Sequence, residues 1–383
     1  MISEITSKFI DLFNSKPLLF RSPGRINIIG EHTDYNEGFV LPAAIDKELV
    51  FAIYPNNLKT LRAFAFDLEK FAEIPIPNIQ RQTDNLWVNY LGGIIDQLRK
   101  NNISIEGIDV VVGGNIPIGA GMSSSAAMEC GFIYALNSIF SLDLKTIEMV
   151  KMAQMAEHEF AGVKCGIMDQ FAVMHGKEKM VMKLDCRSLD FRYEPLDLKD
   201  HTILLCDTKV KHNLASSEYN IRRQECEEGV QIVAKKFPDV KSLRDISLEQ
   251  LEICKNDLNT TVYSRCKYVI EENLRLDKTC IALEKDELEI VGKMLYGSHV
   301  GLKNLYSVSC PELDQLVEIA QNTDGVAGAR MMGGGFGGCT INILHKDSIA
   351  DFKNKVNELY YRKKGISESF YEVGIREGTS QIQ

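Results

Sequence analysis

The sequence lacks the features that mark several classes of protein. Its 383 residues carry a formal net charge of -9, so no excess of positive charge indicates a nucleic-acid partner. No apolar run is long enough to cross a bilayer, and the N-terminus has neither the basic region nor the apolar stretch of a signal peptide. We therefore predict a cytoplasmic protein, expected to be a monomer, with neither a membrane nor a nucleic acid as partner.

Paired cysteines are also lacking. The ten cysteines are scattered from Cys130 to Cys339, and they form no C-x-x-C pair and show no zinc-ligand spacing with histidine. We expect reduced thiols, several of them packed in cores. No tandem repeat or low-complexity tract interrupts the chain.

The length and composition predict two domains of a globular protein. A chain of 383 residues exceeds the size at which one hydrophobic core stops growing, and 45% hydrophobic residues suffice for two cores. Strand and helix patterns alternate irregularly, unlike those of a Rossmann domain. No linker is obvious, but we place the boundary near residues 190 to 200, which gives domains of residues 1–195 and 196–383.

Periodicity predicts the main helices and strands. Residues 3–14 place Ile5, Phe9, Ile10 and Phe13 on one helical face. Further helices are predicted at 87–98, 144–160 and over most of 207–322, with another near the C-terminus. Strands are predicted at 18–21, 26–29, 49–54, 61–66, 108–112, 180–184, 201–206, 340–344 and, as the last element of the chain, 367–373.

A glycine-rich segment, residues 113–121, lies between an apolar strand and a helix predicted to begin at Ser123-Ser124-Ser125. Glycines let the backbone approach a polyphosphate, and a helix N-terminus offers N–H groups and partial positive charge to an anion. The segment lacks the Gly-Lys-Ser/Thr of a Walker A loop and the third glycine of a dinucleotide fingerprint. An anion site is favoured over a tight turn with a serine N-cap.

A second segment runs from Gly24 to Tyr35. On a strand, Arg25 and Asn27 share one face, and four polar side chains follow in the run Glu31-His32-Thr33-Asp34. Carboxylates are strong acceptors for vicinal hydroxyls, so the cluster suits a sugar. A solvated loop is the plain alternative, whereas a calcium loop fails because its glycine is misplaced.

A third segment, residues 162–170, follows the helix predicted to end at Gly162 and contains Asp169. A lone aspartate after a helix is usually a cap or a surface residue. His158-Glu159 is not a zinc motif, because no second histidine follows at the required distance.

Together these segments resemble the signature motifs of the galactokinase branch of the GHMP kinases, a superfamily that includes homoserine kinase and mevalonate kinase. Gly24–Asn36 resembles the sugar signature, Pro117–Ala127 the phosphate loop, and Gly328–Thr340 a third, glycine-rich motif that supports this loop. Three shorter stretches also match galactokinase patterns: 165–170, 185–189 and 217–219. The matches run in family order along most of the chain.

The resemblance implies a fold and an activity. The fold would be α+β in two domains, an N-terminal domain resembling ribosomal protein S5 and a C-terminal ferredoxin-like domain, with the active site in the cleft between them. The activity would be ATP-dependent phosphorylation of galactose at the C1 hydroxyl, with ATP and Mg²⁺ as cofactors and galactose and ATP as small-molecule partners.

The resemblance also implies residue roles. Asp169 would be the general base at the C1 hydroxyl, with Arg25 beside it favouring its ionised form and contacting the substrate. The sugar hydroxyls would be bound by Glu31, His32, Asp34, Tyr219 and the backbone of Gly166. The nucleotide would be bound by Trp87, Tyr90, Gly119, Ala120, Gly121, Met122, Ser123, Ser124 and Ser125. Mg²⁺ would be held by Ser125 and Glu157.

Three other functions remain open at this point. The chain could phosphorylate a related sugar, such as N-acetylgalactosamine, arabinose or galacturonate, because pocket shape around C2 and C6 cannot be read from sequence. It could be a non-catalytic sensor of sugar and ATP, although the intact Ser123–Ala126 run favours catalysis. A nucleotide-binding scaffold without a sugar site would leave Glu31, His32 and Asp34 as surface residues.

Overall fold

The computed structural model describes residues 1–210 and 215–382, in which helices surround three sheets. The helices are α1 Ile2–Phe13, α2 Val88–Lys100, α3 Ser124–Phe140, α4 Thr146–Ala156, α5 Met168–His175, α6 Ala215–Ala234, α7 Leu248–Ile253, α8 Thr260–Glu284, α9 Leu288–Gly301, α10 Pro311–Gln321, α11 Ile349–Val356 and α12 Arg362–Lys364. The strands are β1 Leu18–Asn27, β2 Phe39–Val40, β3 Pro42–Asn56, β4 Thr60–Ala65, β5 Lys70–Pro75, β6 Gly107–Gly114, β7 Met180–Asp185, β8 Phe191–Pro195, β9 His201–Asp207, β10 Val326–Met331, β11 Cys339–His345, β12 Phe370–Val373 and β13 Ser380–Gln381. In these ranges no helix is long and apolar enough to cross a membrane.

The first sheet has the strand order β13-β1-β3-β6-β4-β5, and helices pack on both of its faces. Because side chains alternate along a strand, Val50 and Ala52 of β3 meet Ile5 and Phe9 of α1 on one face. Phe51 points to the opposite face, where α3 and α5 pack on the sheet and α2 and α4 pack on α3. Helix α3 thus packs directly on β1 and β3 of this sheet.

The second sheet has the order β10-β11-β9-β12, and all its pairs are antiparallel. Leu204 and Cys206 of β9 pack with residues of α10 and α11, such as Leu316. Ile203 and Leu205 point the other way and belong to the same hydrophobic core as the first sheet. A small third sheet, β2-β7-β8, joins the short strand β2 between β1 and β3 to the two strands that precede β9. The mixed content of sheets and helices confirms the predicted α+β class.

The last strand, β13, returns to the first sheet, where Phe20 of β1 pairs with Gln381. The prediction that a strand at 367–373 would be the last element was therefore wrong. The pairing joins residues some 360 positions apart, which local periodicity cannot reveal. The boundary near residue 195 stays a prediction, with β13 lying in the sheet of the N-terminal half.

Two further local predictions needed correction. Ile10 was expected on the buried face of the first helix, but it is 43% exposed, and Ile5 and Phe9 alone are fully buried there. The segments 18–21 and 26–29 were predicted as separate strands, whereas β1 is continuous across Pro23 with a shift in register. A β-bulge at this point allows a single strand to continue through Pro23.

Candidate active site

The phosphate-loop segment connects β6 to α3, and its glycines permit the backbone conformation of the turn. Gly119 and Gly121 adopt left-handed backbone angles of φ 79° and φ 75°, where other residues are strained. A Cβ atom added to Gly333 would lie 3.6 Å from the Gly121 carbonyl oxygen, and one added to Gly338 would lie 3.9 Å from the Ala120 backbone, so both glycines are in van der Waals reach of this loop. The third glycine-rich motif therefore lies directly against the loop, as the resemblance implied.

Ser123 stands immediately before α3, but its hydroxyl does not cap the helix. It donates instead to Asp169 Oδ2 at 2.5 Å. Its own backbone is left-handed, with φ 58°. Of the two interpretations that the sequence left for this serine, a simple N-cap is therefore wrong, and the N–H groups of the first turn of α3 receive no side-chain cap from it.

Arg25 joins the loop to Asp169. Its Nε and Nη2 donate to the two Asp169 oxygens at 2.7 and 2.8 Å, and its Nη1 donates to the Gly121 carbonyl at 2.6 Å. Burial by itself would lower the pKa of Arg25, but the charges of Asp169, Glu31 and Asp34 and the hydrogen bonds to Asp169 together outweigh it, and the net shift raises that pKa. The guanidinium therefore stays charged while its side chain is only 6% exposed.

A cavity of about 150 Å³ opens beside this ion pair. The side chains or backbone of every residue predicted to bind the sugar line it: Arg25, Glu31, His32, Asp34, Gly166, Asp169 and Tyr219. These residues come from β1, the loop after it, the segment before α5, the first turn of α5, and α6. The structure thus brings together parts of the chain that are far apart in the sequence.

Asp34 and Gly166 form one wall of this cavity. A Cβ atom added to Gly166 would lie 1.8 Å from Asp34 Oδ2, so only glycine fits against this carboxylate. Burial, followed by the nearby charge of Asp169, raises the pKa of Asp34 to about 7. This carboxyl is therefore about half protonated near neutral pH.

His32 forms part of an aromatic cluster. Its Nδ1 lies 2.8 Å from the Tyr35 hydroxyl, which in turn lies 2.7 Å from the Tyr306 hydroxyl. The His32 ring centroid is 5.4 Å from that of Tyr219. Burial lowers the pKa of His32 to about 4, so the imidazole is neutral at pH 7 and can both donate and accept a hydrogen bond.

Glu31 is anchored by a residue to which the sequence analysis assigned no role. Arg330 is fully buried, and its Nη1 and Nη2 both donate to Glu31 Oε1 at 3.1 Å. The Gly333 amide donates to the same oxygen at 2.7 Å. Arg330 lies inside the third motif, so an arginine among apolar and glycine residues was the available signal.

A second cavity, of about 450 Å³, lies at the start of α3. Trp87, Tyr90, Ser124 and Ser125 line it, together with apolar side chains such as Met128. The first turn of α3 therefore lines this cavity, whereas Ser123, just before the helix, is bonded to Asp169 of the smaller one. The aromatic residues and two of the loop serines that were predicted to bind one nucleotide share one cavity.

Glu157 lines the small cavity and also contacts a serine of the larger one. It begins a π turn, Glu157–Ala161, that ends at the left-handed Gly162, and its Oε2 accepts from Gln170 Nε2 at 2.8 Å. A hydrogen bond from Ser125 also reaches this carboxylate. Burial, followed by the charge of Asp169, raises the pKa of Glu157 to about 7. Such a carboxyl gains from a nearby cation.

The described ranges contain no cluster of three or more histidine, cysteine or acidic side chains suited to a metal ion. Mg²⁺ differs from zinc in this respect, because it is commonly held by one or two protein ligands plus substrate phosphates and waters. The Ser125 hydroxyl beside the Glu157 carboxylate fits that requirement. A third cavity, of about 530 Å³, contains His201 and His345 but none of the predicted site residues.

Comparison with known proteins gives the family. The model of the GHMP kinases N terminal domain matches residues 89–177, that of the galactokinase galactose-binding signature residues 7–55, and that of the GHMP kinases C terminal domain residues 281–362. Galactokinase of Thermosipho africanus is 41% identical over 371 residues, covering 95% of this chain and 99% of that protein. Galactokinase of Bacillus subtilis is 38% identical and covers 100% of both chains.

The solved structures agree with the sequence comparisons. The crystal structure of Lactococcus lactis galactokinase complexed with galactose superposes with a TM-score of 0.95 at 33% identity, covering 99% of each chain. The mevalonate kinase of Methanococcus jannaschii has a TM-score of 0.66 at 21% identity, covering 95% of this chain and 99% of that one, which shows a shared fold alone. The predicted resemblance and the two-domain α+β fold are confirmed, and the chain belongs to the galactokinase family of the GHMP kinases.

Proposed function

We propose that the chain, as a galactokinase, moves the γ-phosphoryl group of ATP bound in the larger cavity to the C1 hydroxyl of galactose bound in the small cavity. One observation carries the assignment of the site: Asp169 lies in the small polar cavity and is bonded both to Ser123 and to Arg25. A sugar oxygen held by this carboxylate would therefore lie next to a phosphate group bound at the helix N-terminus.

The sugar would be held by the acceptors around the small cavity. Glu31 keeps an oxygen for the sugar after bonding to Arg330 and Gly333, and the neutral His32 ring can donate or accept. A hydroxyl that donates to Asp34 favours its ionised form. Galactose binding is therefore expected to release a proton from this carboxyl near neutral pH.

Asp169 would orient the attacking hydroxyl and receive its proton. A carboxylate is a weak base towards a neutral hydroxyl, so the proton moves late, as the oxygen becomes acidic on attack. Arg25, with its second contact to the phosphate loop, stabilises the negative charge that develops between sugar and phosphate. Alignment and charge compensation are the main requirements of phosphoryl transfer.

The nucleotide would lie in the larger cavity, with the adenine near Trp87 and Tyr90. Its phosphates would follow residues 119–125, of which Ser124 and Ser125 line this cavity. Ser125 and Glu157 would hold Mg²⁺ there. The ion would supply positive charge to the phosphate oxygens. The raised pKa of Glu157 supports this assignment, because a bound cation would stabilise the charge that burial disfavours.

The test is Asp169→Asn. The variant keeps the size of the side chain but loses the charge and the proton acceptor, so turnover should fall ~10²–10⁴-fold. Galactose and an unreactive ATP analogue should still bind, as measured by isothermal titration. Near-normal turnover of this variant would refute the role of Asp169.

A coupled assay of ADP release over a panel of sugars tests the substrate. Galactose is expected to give the highest kcat/KM, above N-acetylgalactosamine, arabinose and galacturonate. Galactose binding without ADP release would instead support a sensor. The monomeric state and the cytoplasmic location stay predictions.

A further inference from the structure

The loop of residues 30–39, here called the sugar loop, leaves β1 and returns beside it. Its two ends are tied together, because Ile28 N donates to the Leu41 carbonyl at 3.0 Å and Leu41 N donates to the Ile29 carbonyl at 3.1 Å. The loop carries three of the acidic or imidazole side chains that line the small cavity. Its geometry therefore decides where those groups point.

The sugar loop contains backbone conformations that are energetically unfavourable for residues other than glycine. His32 and Glu37 are left-handed at φ 63° and φ 58°, and Gly30 has φ 98°. Left-handed non-glycine residues persist only where the surroundings impose them. Contacts from outside the loop are therefore needed to keep it in one conformation.

Helix α8 supplies such contacts at both ends of the sugar loop. Glu272 Oε1 accepts from the Gly30 amide at 3.1 Å, and Asn273 Oδ1 accepts from the Phe39 amide at 2.9 Å. The Tyr268 hydroxyl, one turn earlier, donates to the Glu31 carbonyl at 3.0 Å. Two adjacent helix residues thus hold the first and the last amide of a loop that is distant in the sequence.

Glu272 is itself fixed in place. Its carboxylate is fully buried, and Ser298 Oγ donates to Oε1 at 2.6 Å while Arg275 Nε donates to Oε2 at 2.7 Å. A buried carboxylate is tolerated only when it is paired and hydrogen-bonded in this way. Neither Glu272 nor Asn273 lines the small cavity, so neither is placed to touch a ligand there.

We propose that Glu272 and Asn273 are positioning residues for galactose, which fix the two ends of the sugar loop and thereby set the affinity for the sugar without touching it. The inference rests on the proposed sugar site. Removing either acceptor leaves a loop amide unpaired and lets the loop sample conformations that bind less well. The nucleotide cavity is lined by other residues, so ATP binding should not share the effect.

The experiment compares Glu272→Ala and Asn273→Ala, each of which removes one acceptor, with the wild-type chain. The KM for galactose should rise about tenfold in Asn273→Ala, the size expected for one unpaired, partly buried donor. The KM for ATP should stay within about twofold, since no nucleotide contact is altered. Amide hydrogen exchange, measured on peptides that cover residues 30–39, should become faster in both variants.

Glu271→Ala is the matched control. Glu271 is the neighbour of Glu272 and also contacts Arg275, at 3.5 Å, and its other ion pair in the described ranges is with Lys267 rather than with the sugar loop. This variant should keep wild-type KM values and wild-type exchange. Asn273→Asp, which retains an acceptor for Phe39, should recover most of the galactose affinity that Asn273→Ala loses.

Three outcomes would overturn the proposal: an unchanged galactose KM in both test variants, equal rises in the KM values for galactose and ATP, or the same defect in Glu271→Ala. If Glu272→Ala does not fold, Asn273→Ala and Asn273→Asp decide the question. A separate variant tests the proposed sugar site itself. If that site is wrongly assigned, Asp34→Asn will bind galactose as tightly as the wild type does.

Discussion

Gly166→Ala isolates the contact between Gly166 and Asp34. A Cβ atom at position 166 would lie 1.8 Å from Asp34 Oδ2 and 2.1 Å from Cγ, whereas Cβ contacts below 3.0 Å essentially do not occur. The Gly166 backbone is not left-handed, so alanine meets no conformational penalty there. The carboxyl group must therefore move by more than about 1 Å, and a misplacement of this size can cost about 10²-fold in rate.

We accordingly expect kcat/KM for galactose to fall about a hundredfold in Gly166→Ala, measured in the coupled assay with ATP saturating. Binding of an unreactive ATP analogue, measured by titration calorimetry, should be unchanged. Gly297→Ala is the control, since its Cβ would meet Arg275 Cδ at an ordinary 3.5 Å and activity should be normal. A galactose kcat/KM close to that of the wild type would refute the reasoning that Asp34 must be in place for sugar binding.

Three further predictions concern the same site. Arg25→Lys keeps the charge but cannot make both Asp169 bonds and the Gly121 bond, so kcat should fall at least about tenfold in the coupled assay. The control is Arg21→Lys, on the same strand and 40% exposed, which should have normal activity. An unchanged rate in Arg25→Lys would exclude a directed contact. Glu157→Gln should raise the Mg²⁺ concentration needed for half-maximal activity about tenfold or more, and an unaltered Mg²⁺ titration would remove Glu157 from the proposed ligands. Asp34 has a pKa raised to about 7 in the folded chain, so the folded state binds one proton more than the unfolded state and loses stability as pH rises from about 4 to 7. The stability of Asp34→Asn relative to the wild type, measured by urea unfolding, should therefore increase across that pH range. A difference that does not change with pH would contradict the assigned shift.

Much of the fold was readable from periodicity. The helix predicted at 87–98 is α2, Val88–Lys100, and the strand predicted at 340–344 is β11, Cys339–His345, so both agree within a residue or two at each end. Such elements have strong local patterns and clear start or stop residues. The long helix predicted at 144–160 instead changes to a π turn at Glu157, because local pattern does not register an inserted residue.

The sequence predicted which residues form the candidate site better than it predicted the contacts between their side chains. The Arg25–Asp169 contact followed from the family resemblance, and the structure has it as a two-bond pair. The contact of Ser123 with Asp169 was not predicted, since a serine before a helix ordinarily caps it. The anchoring of Glu31 by Arg330 was also missed, because a contact between residues 299 positions apart leaves no local signal.

The sequence by itself determined the chemistry that the chain can perform, through the glycines that permit the loop conformation and the polar side chains that follow β1. Glycine tolerance of positive φ and the charge of a side chain are local properties, so they can be read residue by residue. The tertiary structure alone decided which oxygen of Glu31 stays available and how α8 holds the sugar loop. These features depend on pairs of groups buried together by folding, and burial is also what shifts the pKa values of His32 and Asp34.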